Sequence, residues 1–429
     1  MLIIGAGPGG YETAVEAAKR GMEVTLISEG PLGGTCLNEG CIPTKTFCHY
    51  AELIEQNLKA GLDCKPSFAS AAERKQAVIE QLRGGINMLL KGVQVVQGRA
   101  QFKDAGTVVC NGQEYSADKI IVATGSVSAS LPIPGADSCI TSKEILDLKE
   151  VPASLCVIGG GVIGLEFASI FRSFGSEVTV LEYCPNILPR FDVDLAKRLE
   201  QSLSKRGIKI EVQAQVTRID GNTVTYIKKE KEFTVQADKI LMAVGRRPNT
   251  DGLNLEAAGI DYTRKGITVN DRFETNVPGI FAVGDVTGGI MLAHAATYQG
   301  LHALNCMCGQ QDCIRFDLIP AAVFTMPEVA TIGLTEEQCE EQNLEVRCLK
   351  SFYRANGKAV SMDETDGYCK VIVGSDGVIL GAHLMGAHAS DIIHEIAAVM
   401  NMGGTLEQMQ AVIHAHPTLS EVMQSALHQ

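Results

Sequence analysis

The sequence lacks the features of several broad classes of protein. None of its apolar runs reaches the roughly 18 residues that a membrane-spanning helix needs. Basic residues are also in deficit, because 37 Lys and Arg stand against 50 Asp and Glu, a net charge of −13. Nucleic acid is therefore not expected as a partner, since phosphate binding relies on lysine and arginine. A membrane is not expected either, and 429 residues predict about two to four domains.

The N-terminus lacks the pattern of a signal peptide. The opening residues MLIIGAG contain no basic stretch, and their apolar run is too short. We therefore expect a cytoplasmic protein whose fourteen scattered cysteines are mostly free thiols. Three of them crowd the stretch CMCGQQDC, at 306, 308 and 313. Their spacing is irregular and we expect no histidine close to them, so surplus thiols are favoured over a metal site.

One structural unit occurs twice in the chain. LIIGAGPGGYETAVEAAKRGMEVTLISE (2–29) and CVIGGGVIGLEFASIFRSFGSEVTVLE (156–182) share the same plan. Each has a short apolar strand, a G-x-G-x-x-G turn, a helical stretch and a second strand that ends in Glu. This pattern is typical of dinucleotide binding. A glycine-rich strand-to-helix turn is the alternative for one isolated motif, and two complete copies argue against it.

Each position in the motif has a physical role. The first glycine allows the tight turn, the second lets a pyrophosphate approach the backbone, and the third lets the helix pack closely on the strand. The free N–H groups at the helix N-terminus favour phosphates, and the final acid can accept hydrogen bonds from ribose hydroxyls. In order, these residues are Gly5, Gly7, Gly10 and Glu29 in the first unit, and Gly159, Gly161, Gly164 and Glu182 in the second.

A second repeat supports two domains of similar layout. DKIIVATGS (118–126) and DKILMAVGR (238–246) each follow a polar segment with hairpin character. Each pattern predicts a β-meander that returns a strand to its nucleotide-binding sheet. IFAVGDVTG (280–288) has the same strand-then-glycine pattern. It follows the second unit, so one of the two domains is expected to be split.

The stretch GGTCLNEGCIPTK holds two cysteines five positions apart. In a regular helix Cys36 and Cys41 would lie about 7.5 Å apart along the axis, whereas bridged cysteines have Cα atoms within about 7 Å. A disulfide therefore needs an irregular segment, which Gly40 and Pro43 permit. A helix that begins beside Cys41, with Lys45 one turn later, would stabilise a thiolate. Two buried thiols or part of a metal site are the alternatives, but the spacing does not match zinc sites.

Seven motifs in this order resemble the flavin-dependent pyridine nucleotide–disulfide oxidoreductases: GAGPGG, GGTCLNEGCIPTK, ATGS, GGGVIGLE, FAVGDVTG, PEVATIGLTEEQ and HAHPTLSE. The resemblance covers essentially the whole chain. It implies an α/β fold with two Rossmann-like dinucleotide-binding domains, for FAD and NAD, and a C-terminal α+β dimerisation domain. We place the FAD-binding domain at 1–142 and 248–315, the NAD-binding domain at 143–247 and the dimerisation domain at 316–429.

The resemblance also implies which residues contact each cofactor. The set for FAD is Gly5, Gly7, Gly10, Glu29, Thr35, Lys45, Thr124, Gly125, Asp285 and Ala293. The set for NAD is Gly159, Gly161, Gly164, Glu166, Glu182 and Gly245. No metal site is implied.

The implied catalytic residues are Cys36, Cys41, Lys45, His416 and Glu421. By the resemblance, the first cysteine exchanges with substrate, the second faces the flavin, and Lys45 pairs with Glu166. The histidine is the acid–base residue, oriented by Glu421 and followed by a cis bond to Pro417. It serves the cysteines of the other subunit in a homodimer, whereas His414 is expected to be structural.

Within the family the chain is most similar to the members that oxidise dihydrolipoyl groups. An acid at Glu182 without a following arginine favours NAD over NADP. The expected partner in trans is a lipoyl-bearing carrier, either a 2-oxo acid dehydrogenase acyltransferase or the glycine cleavage H protein. A disulfide reductase like glutathione reductase and a non-catalytic redox-sensing flavoprotein subunit are the alternatives. Two departures from the family are a very short first strand and Glu39, whose charge is expected to raise the pKa of a nearby thiolate.

Overall fold

The computed structural model describes residues 1–62 and 66–429, so Cys64 lies outside the described residues. In chain order the helices are α1 Pro8–Lys19, α2 Gly34–Glu39, α3 Cys41–Lys59, α4 Phe68–Leu89, α5 Val162–Phe174, α6 Val193–Lys205, α7 Ala293–Met307, α8 Glu336–Glu341, α9 Gly357–Ser361, α10 Ala389–Asn401, α11 Leu406–Gln410 and α12 Glu421–Leu427. None of the helices in these two ranges is long and apolar enough to cross a membrane.

The strands form two parallel sheets, one larger antiparallel sheet and several small ones. In chain order they are β1 Leu2–Ile4, β2 Thr25–Ser28, β3 Gln94–Gln97, β4 Ala100–Asp104, β5 Thr107–Cys110, β6 Gln113–Ser116, β7 Ile120–Val122, β8 Ser126–Ser128, β9 Ser154–Ile158, β10 Glu177–Leu181, β11 Ile208–Glu211, β12 Gln215–Asp220, β13 Thr223–Lys228, β14 Lys231–Gln236, β15 Lys239–Met242, β16 Arg246–Pro248, β17 Tyr262–Thr263, β18 Gly266–Ile267, β19 Ile280–Ala282, β20 Ala321–Val323, β21 Val329–Gly333, β22 Val346–Phe352, β23 Tyr368–Gly374 and β24 Ile379–Met385.

The first parallel sheet has the strand order β19-β7-β1-β2-β3. Its central strand, β1, is only three residues long, but it pairs with β2 on one side and β7 on the other. All three of its residues are buried, as expected for a parallel strand that is covered on both faces. The strand at 280–282 joins this sheet beside β7, so the prediction of a split domain is confirmed.

The second parallel sheet has the order β11-β10-β9-β15. The two predicted meanders are confirmed as the antiparallel sheets β4-β5-β6 and β12-β13-β14. Each returns the chain to its parallel sheet, through β7 in one case and β15 in the other. The ends of these two returning segments then pair with each other as β8 and β16. This pairing joins the two nucleotide-type units directly beside the residues that later form the site.

The C-terminal unit is an antiparallel sheet of order β20-β21-β24-β23-β22 with helices α10 and α12 packed on it. β23 and β24 form a hairpin, and α10 follows directly after it. The α/β class with a C-terminal α+β unit is therefore confirmed. The residue limits of the domains remain a prediction.

A buried cluster of charges fixes the C-terminal unit to the second parallel unit. Lys370 on β23 is fully buried, and its Nζ lies 2.8 Å from Oδ2 of Asp192, which caps α6. Asp194 and Glu336 also contact the ammonium. Burial opposes the charged form, but the surrounding carboxylates raise the pKa of Lys370. Loss of one partner would leave an uncompensated buried charge, which is strongly destabilising.

Candidate active site

The two glycine-rich turns have nearly identical geometry. Gly5 and Gly159 have φ values of +107° and +111°, a region that only glycine enters freely. A Cβ on either would also overlap the carbonyl that follows the neighbouring strand, at Ala123 or Ala243. Two separate reasons therefore require glycine at the first position of each motif: the backbone angle and the lack of space for a side chain.

The other two glycines of each motif differ in their surroundings as predicted. A Cβ built on Gly7 or Gly161 would meet no atom within 4 Å, which leaves the backbone open to a phosphate. A Cβ on Gly10 or Gly164 would overlap the carbonyl oxygen of the first glycine of its own motif. These contacts fit a pyrophosphate above each turn and a helix packed tightly below it.

The two terminal acids are placed differently. Glu29 is exposed, whereas Glu182 is buried and accepts hydrogen bonds from the backbone N–H groups of Gly160 at 2.5 Å and Cys184 at 2.6 Å. Each carboxylate oxygen of Glu182 still has acceptor capacity left for a ribose hydroxyl. The role of both acids remains a prediction.

One large cavity connects the two units. Its volume is 2860 Å³, well above the roughly 300–1,000 Å³ of an ordinary ligand pocket. Most of the predicted cofactor and cysteine residues line it: Gly5, Gly7, Glu29, Thr35, Cys36, Cys41, Lys45, Thr124, Gly125, Gly159, Gly161, Glu166, Glu182, Gly245, Asp285 and Ala293. The cavity therefore has room for two nucleotides beside the cysteine pair.

The cysteine segment is irregular, as its spacing predicted. The short helix α2 ends at Glu39, Gly40 follows with φ −144° and ψ −109°, and α3 begins at Cys41. Both cysteines are free thiols here, Cys36 half-buried and Cys41 exposed at the cavity. A hydrogen bond from Cys36 is the main reason why the pKa of Cys41 falls to about 7, with the charge of Lys45 also lowering it against the effect of burial. The same hydrogen bond and burial raise the pKa of Cys36.

Lys45 connects the cysteine helix to the second unit. Its Nζ lies 2.8 Å from each carboxylate oxygen of Glu166 on α5, and 4.3 Å from the centre of the Phe324 ring. Glu166 is nearly fully buried and also accepts from the backbone N–H of Phe324 at 3.0 Å. Burial opposes the charged form, but Glu166 raises the pKa of Lys45. The structure thus brings these two residues together as predicted and keeps a cation beside Cys41.

The expectation for Glu39 is wrong with respect to Cys41. The Glu39 carboxylate forms an ion pair with Lys143 at 2.6 Å, and the pKa of Cys41 is lowered, not raised. Lys143 lies more than a hundred residues later in the chain, so this compensation was not predictable from the residues around Glu39.

Sequence reasoning missed a polar contact that spans the two units. The Arg246 side chain donates to Ser126 twice, from Nε to Oγ and from Nη2 to the carbonyl oxygen, both at 2.7 Å. The Ser126 hydroxyl donates to Asp285 at 2.5 Å. All three residues line the cavity. A signal was present, since Ser126 and Arg246 are the final residues of the two repeated DKI segments.

The C-terminal histidine pair is formed but stands apart from the cavity. Nδ1 of His416 lies 2.9 Å from Oε1 of Glu421, whose other oxygen accepts from the backbone N–H of Thr418 at 2.7 Å. The N–H of Thr418, followed by the imidazole, lowers the pKa of Glu421. The His416 side chain is 79% exposed, and its bond to Pro417 is cis. Neither His416 nor Glu421 lines the cavity that contains the cysteines.

The structure also shows the surroundings of His414 and His302. His414 contacts Glu395 at 2.7 Å and the carbonyl of Val412 at 3.2 Å, in keeping with the structural role predicted for it. The expectation that no histidine lies close to the CMCGQQDC cysteines is wrong. His302 lies one helical turn before Cys306 on α7, and its ring contacts the thiol.

A cysteine pair at the junction of two dinucleotide-type units defines a nucleotide-dependent disulfide oxidoreductase. The chain belongs to the pyridine nucleotide-disulphide oxidoreductase family. Its residues 1–300 match the sequence profile of that family, and residues 319–427 match the profile of the family's dimerisation domain. Members of this family use FAD and NAD(H).

Curated relatives cover nearly the full length of the chain. A dihydrolipoyl dehydrogenase of Geobacillus stearothermophilus is 41% identical over 99% of this chain and 94% of its own. A dihydrolipoyl dehydrogenase of Bacillus subtilis is 39% identical over 100% and 97%. Among solved structures, the HOCl-induced flavoprotein disulfide reductase RclA of Escherichia coli is similar with a TM-score of 0.90 and 33% identity, covering 100% of this chain and 99% of that one.

Proposed function

We propose that this protein is a dihydrolipoyl dehydrogenase, which oxidises dihydrolipoyl groups on a carrier protein and reduces NAD⁺. The observation that carries the proposal is the Cys36–Cys41 pair, with Cys36 on α2 and Cys41 at the start of α3, on the wall of the cavity shared by both units. The names and full-length coverage of the curated relatives support the choice of substrate. Glutathione-type disulfides are the competing substrate class.

The thiol chemistry follows from the placement of the two cysteines. With Cys36 and Cys41 as a disulfide, a substrate thiolate attacks the sulfur of Cys36. The S–S bond breaks and Cys41 leaves as a thiolate, and a leaving thiol of low pKa departs readily. The second substrate thiol then attacks the lipoyl sulfur of the mixed disulfide, which closes the lipoyl ring and releases Cys36.

Lys45 favours this exchange by stabilising the leaving thiolate. Its ammonium is held on the first turn of α3 by Glu166, and the pKa of Cys41 is about 7. That value belongs to the reduced pair, in which the Cys36 thiol donates to Cys41. In the mixed disulfide this donor is lost, and the charge of Lys45 still favours the thiolate of Cys41. When bound, FAD and NAD supply the route by which the electron pair leaves the reduced cysteines.

His416 is the base that removes the substrate proton. A carboxylate can only accept a hydrogen bond, so Glu421 keeps the hydrogen on Nδ1 of the imidazole and leaves Nε2 free to take a proton. The assignment requires a second chain, because the imidazole lies outside the cavity of its own chain. We infer a homodimer in which His416 serves the partner's cysteines. Two exposed apolar side chains of the C-terminal unit, Ile413 at 94%, three residues before His416, and Met402 at 78%, at the end of α10, fit a surface that a second copy covers.

Two finer assignments belong to the same proposal. Glu182 selects NAD⁺, because a carboxylate accepts from the ribose 2′-hydroxyl and repels a 2′-phosphate. The carrier is a lipoyl domain supplied in trans, from a 2-oxo acid dehydrogenase acyltransferase or the glycine cleavage H protein. We place the enzyme in the cytoplasm.

The test is turnover of the purified, FAD-loaded protein. Dihydrolipoamide is supplied with NAD⁺ or with NADP⁺, and glutathione disulfide is supplied with NADH or with NADPH in parallel. We expect NADH formation from dihydrolipoamide and NAD⁺ and little reaction in the other three assays. Cys36→Ser and His416→Gln should each abolish it, whereas Cys139→Ser, at a half-buried thiol away from the cavity wall, should not.

Two results would overturn the proposal. One is the absence of dihydrolipoamide oxidation by protein that retains FAD and whose cysteines can still be reduced. The other is faster reduction of glutathione disulfide than oxidation of dihydrolipoamide, which would move the substrate class to glutathione-type disulfides.

A further inference from the structure

A second cysteine–histidine cluster lies away from the cysteine pair. Cys306 and His302 are four positions apart on α7, so their side chains share one face of the helix. Sγ of Cys306 lies 3.5 Å from Nε2 of His302. Along the axis, Cys306 is about 12 Å from Tyr298, the last residue of α7 that lines the cavity, at 1.5 Å per residue. Neither residue lines the cavity.

A carboxylate completes the cluster on the other side of the ring. Nδ1 of His302 lies 2.9 Å from each carboxylate oxygen of Asp312. Asp312 also accepts two further hydrogen bonds, from the side-chain amide of Asn305 at 2.8 Å and from the backbone N–H of Ile314 at 3.2 Å. Burial opposes ionisation, but these hydrogen bonds lower the pKa of Asp312. The ionised carboxylate can only accept, so Nδ1 carries the hydrogen and the lone pair on Nε2 points at the thiol.

The imidazole is also held in its plane by two aromatic rings. The centres of Phe273 and Phe316 lie 5.9 Å and 5.5 Å from that of His302, both nearly perpendicular to it. His302 and Asp312 are 21% and 14% exposed, while Cys306 is partly exposed. The base is thus rigid and mostly shielded, and the sulfur remains accessible to a small reagent.

The geometry excludes a metal centre and favours an activated nucleophile. The two ring nitrogens are engaged on opposite sides, so the thiol and the carboxylate cannot converge on one ion. Within residues 1–62 and 66–429, no group of three such ligands is placed to hold a metal. A thiol, a base and a group that orients the base are instead the arrangement by which enzymes activate a nucleophilic cysteine.

We propose that Cys306 is an oxidant-reactive thiol, activated by His302 and Asp312, that hydroperoxides convert to sulfenic acid. His302 takes the thiol proton, and the thiolate attacks one oxygen of hydrogen peroxide. An S–O bond forms while the O–O bond breaks, and the leaving hydroxide takes the proton from His302 as water. Sulfur is oxidised by two electrons and the peroxide is reduced. This modification site is separate from the proposed dehydrogenase chemistry and does not depend on it.

The test is the rate of peroxide oxidation at each thiol of the FAD-loaded protein, with the Cys36–Cys41 pair as its disulfide. Dimedone traps the sulfenic acid, and mass spectrometry locates it. The neighbouring Cys308 and Cys313 are internal references, because all three cysteines fall on one tryptic peptide, 273–315. Cys308 interacts with the Arg20 guanidinium and Cys313 lines the cavity, but neither has a histidine as a base. We expect Cys306 to react at least about tenfold faster than either reference, a modest share of what a positioned base contributes.

Variants separate the activated thiol from a merely accessible one. His302→Gln should remove the rate advantage of Cys306. Asp312→Asn should reduce it, because the change removes the negative charge that stabilises the protonated imidazole. Both variants should leave the two reference thiols unchanged. FAD content and NADH formation should also be unchanged, since neither residue touches the cavity. Asp312→Asn keeps an acceptor for Nδ1 and is the gentler change.

Two outcomes would overturn the inference. The first is a wild-type protein in which Cys308 or Cys313 is oxidised as fast as Cys306, a result that needs no variant. The second is a folded, FAD-containing variant in which Cys306 keeps its full rate advantage.

Discussion

The charges around Cys41 predict opposite effects for two neighbouring substitutions. The pKa of Cys41 falls from 9.0 to about 7, with Lys45 lowering it and Glu166 raising it. Lys45→Met should therefore raise the pKa of Cys41, and Glu166→Gln should lower it further. Gln retains an acceptor for the N–H of Phe324, so the second change removes charge and little else. The two variants differ in the sign of the effect and not only in its size.

The size of each effect can be estimated from the structure. The hydrogen bond from Cys36 is the largest cause of the shift, so Lys45 supplies only part of it, about one pKa unit for an adjacent opposite charge. With a pKa of about 8 in place of about 7, the thiolate fraction at pH 7 falls about fivefold. Glu166→Gln should increase the thiolate fraction of Cys41, and the increase should be clearest near pH 6, where the thiolate fraction of the wild-type protein is small.

The assay is the rate of alkylation of Cys41 by iodoacetamide from pH 5 to pH 9, followed by peptide mass spectrometry. A Cys36→Ser background leaves one thiol in the pair, and the serine hydroxyl can still donate to Cys41. Lys59→Met, near the far end of the same helix, is the matched control and should leave the curve unchanged. A shift of the same sign in both variants, or no shift for Lys45→Met, would refute the electrostatic account.

Three other substitutions test separate features of the structure. Glu421→Gln removes the carboxylate that contacts His416, the imidazole that we propose as the base, and should lower dihydrolipoamide turnover about 10–100-fold, whereas Glu395→Gln, which changes the same kind of contact at His414, should leave steady-state turnover near wild type. Gly164→Ala places a Cβ on a backbone carbonyl and should cost about 1–3 kcal/mol of unfolding free energy, while Gly84→Ala, in open space on α4, should add up to about 1 kcal/mol; thermal unfolding measures both. Lys370→Ala strands a buried carboxylate and should destabilise the fold by about 3–5 kcal/mol in denaturant titrations, and a loss below 1 kcal/mol would show that the cluster is solvated.

Features that depend on local sequence were predictable. The turn glycines, the break at Gly40 and the start of α3 at Cys41 follow from a few adjacent residues, because backbone angles and helix termini are local properties. The return of β7 and β15 to their sheets was also visible, since each strand repeats the same short pattern.

Features that depend on distant residues were not predictable. The contact of Arg246 with Ser126 joins positions 120 residues apart, and the ion pair of Glu39 with Lys143 joins positions 104 residues apart. The His302–Cys306 contact is a different case. The spacing of four residues was visible in the sequence, but no helix was predicted over this stretch. Because α7 extends to Met307, both residues lie on one helix.

The exposed position of His416 has a consequence for inheritance. In our proposal each active site takes its cysteines from one chain and its histidine from the other. A chain with Cys36→Ser and a chain with His416→Gln would each be inactive alone. Their mixed dimer would regain one working site, built from the intact histidine of the first chain and the intact cysteines of the second. Two defective alleles of this gene would therefore complement each other, and the phenotype of a variant would depend on the variant carried by its partner.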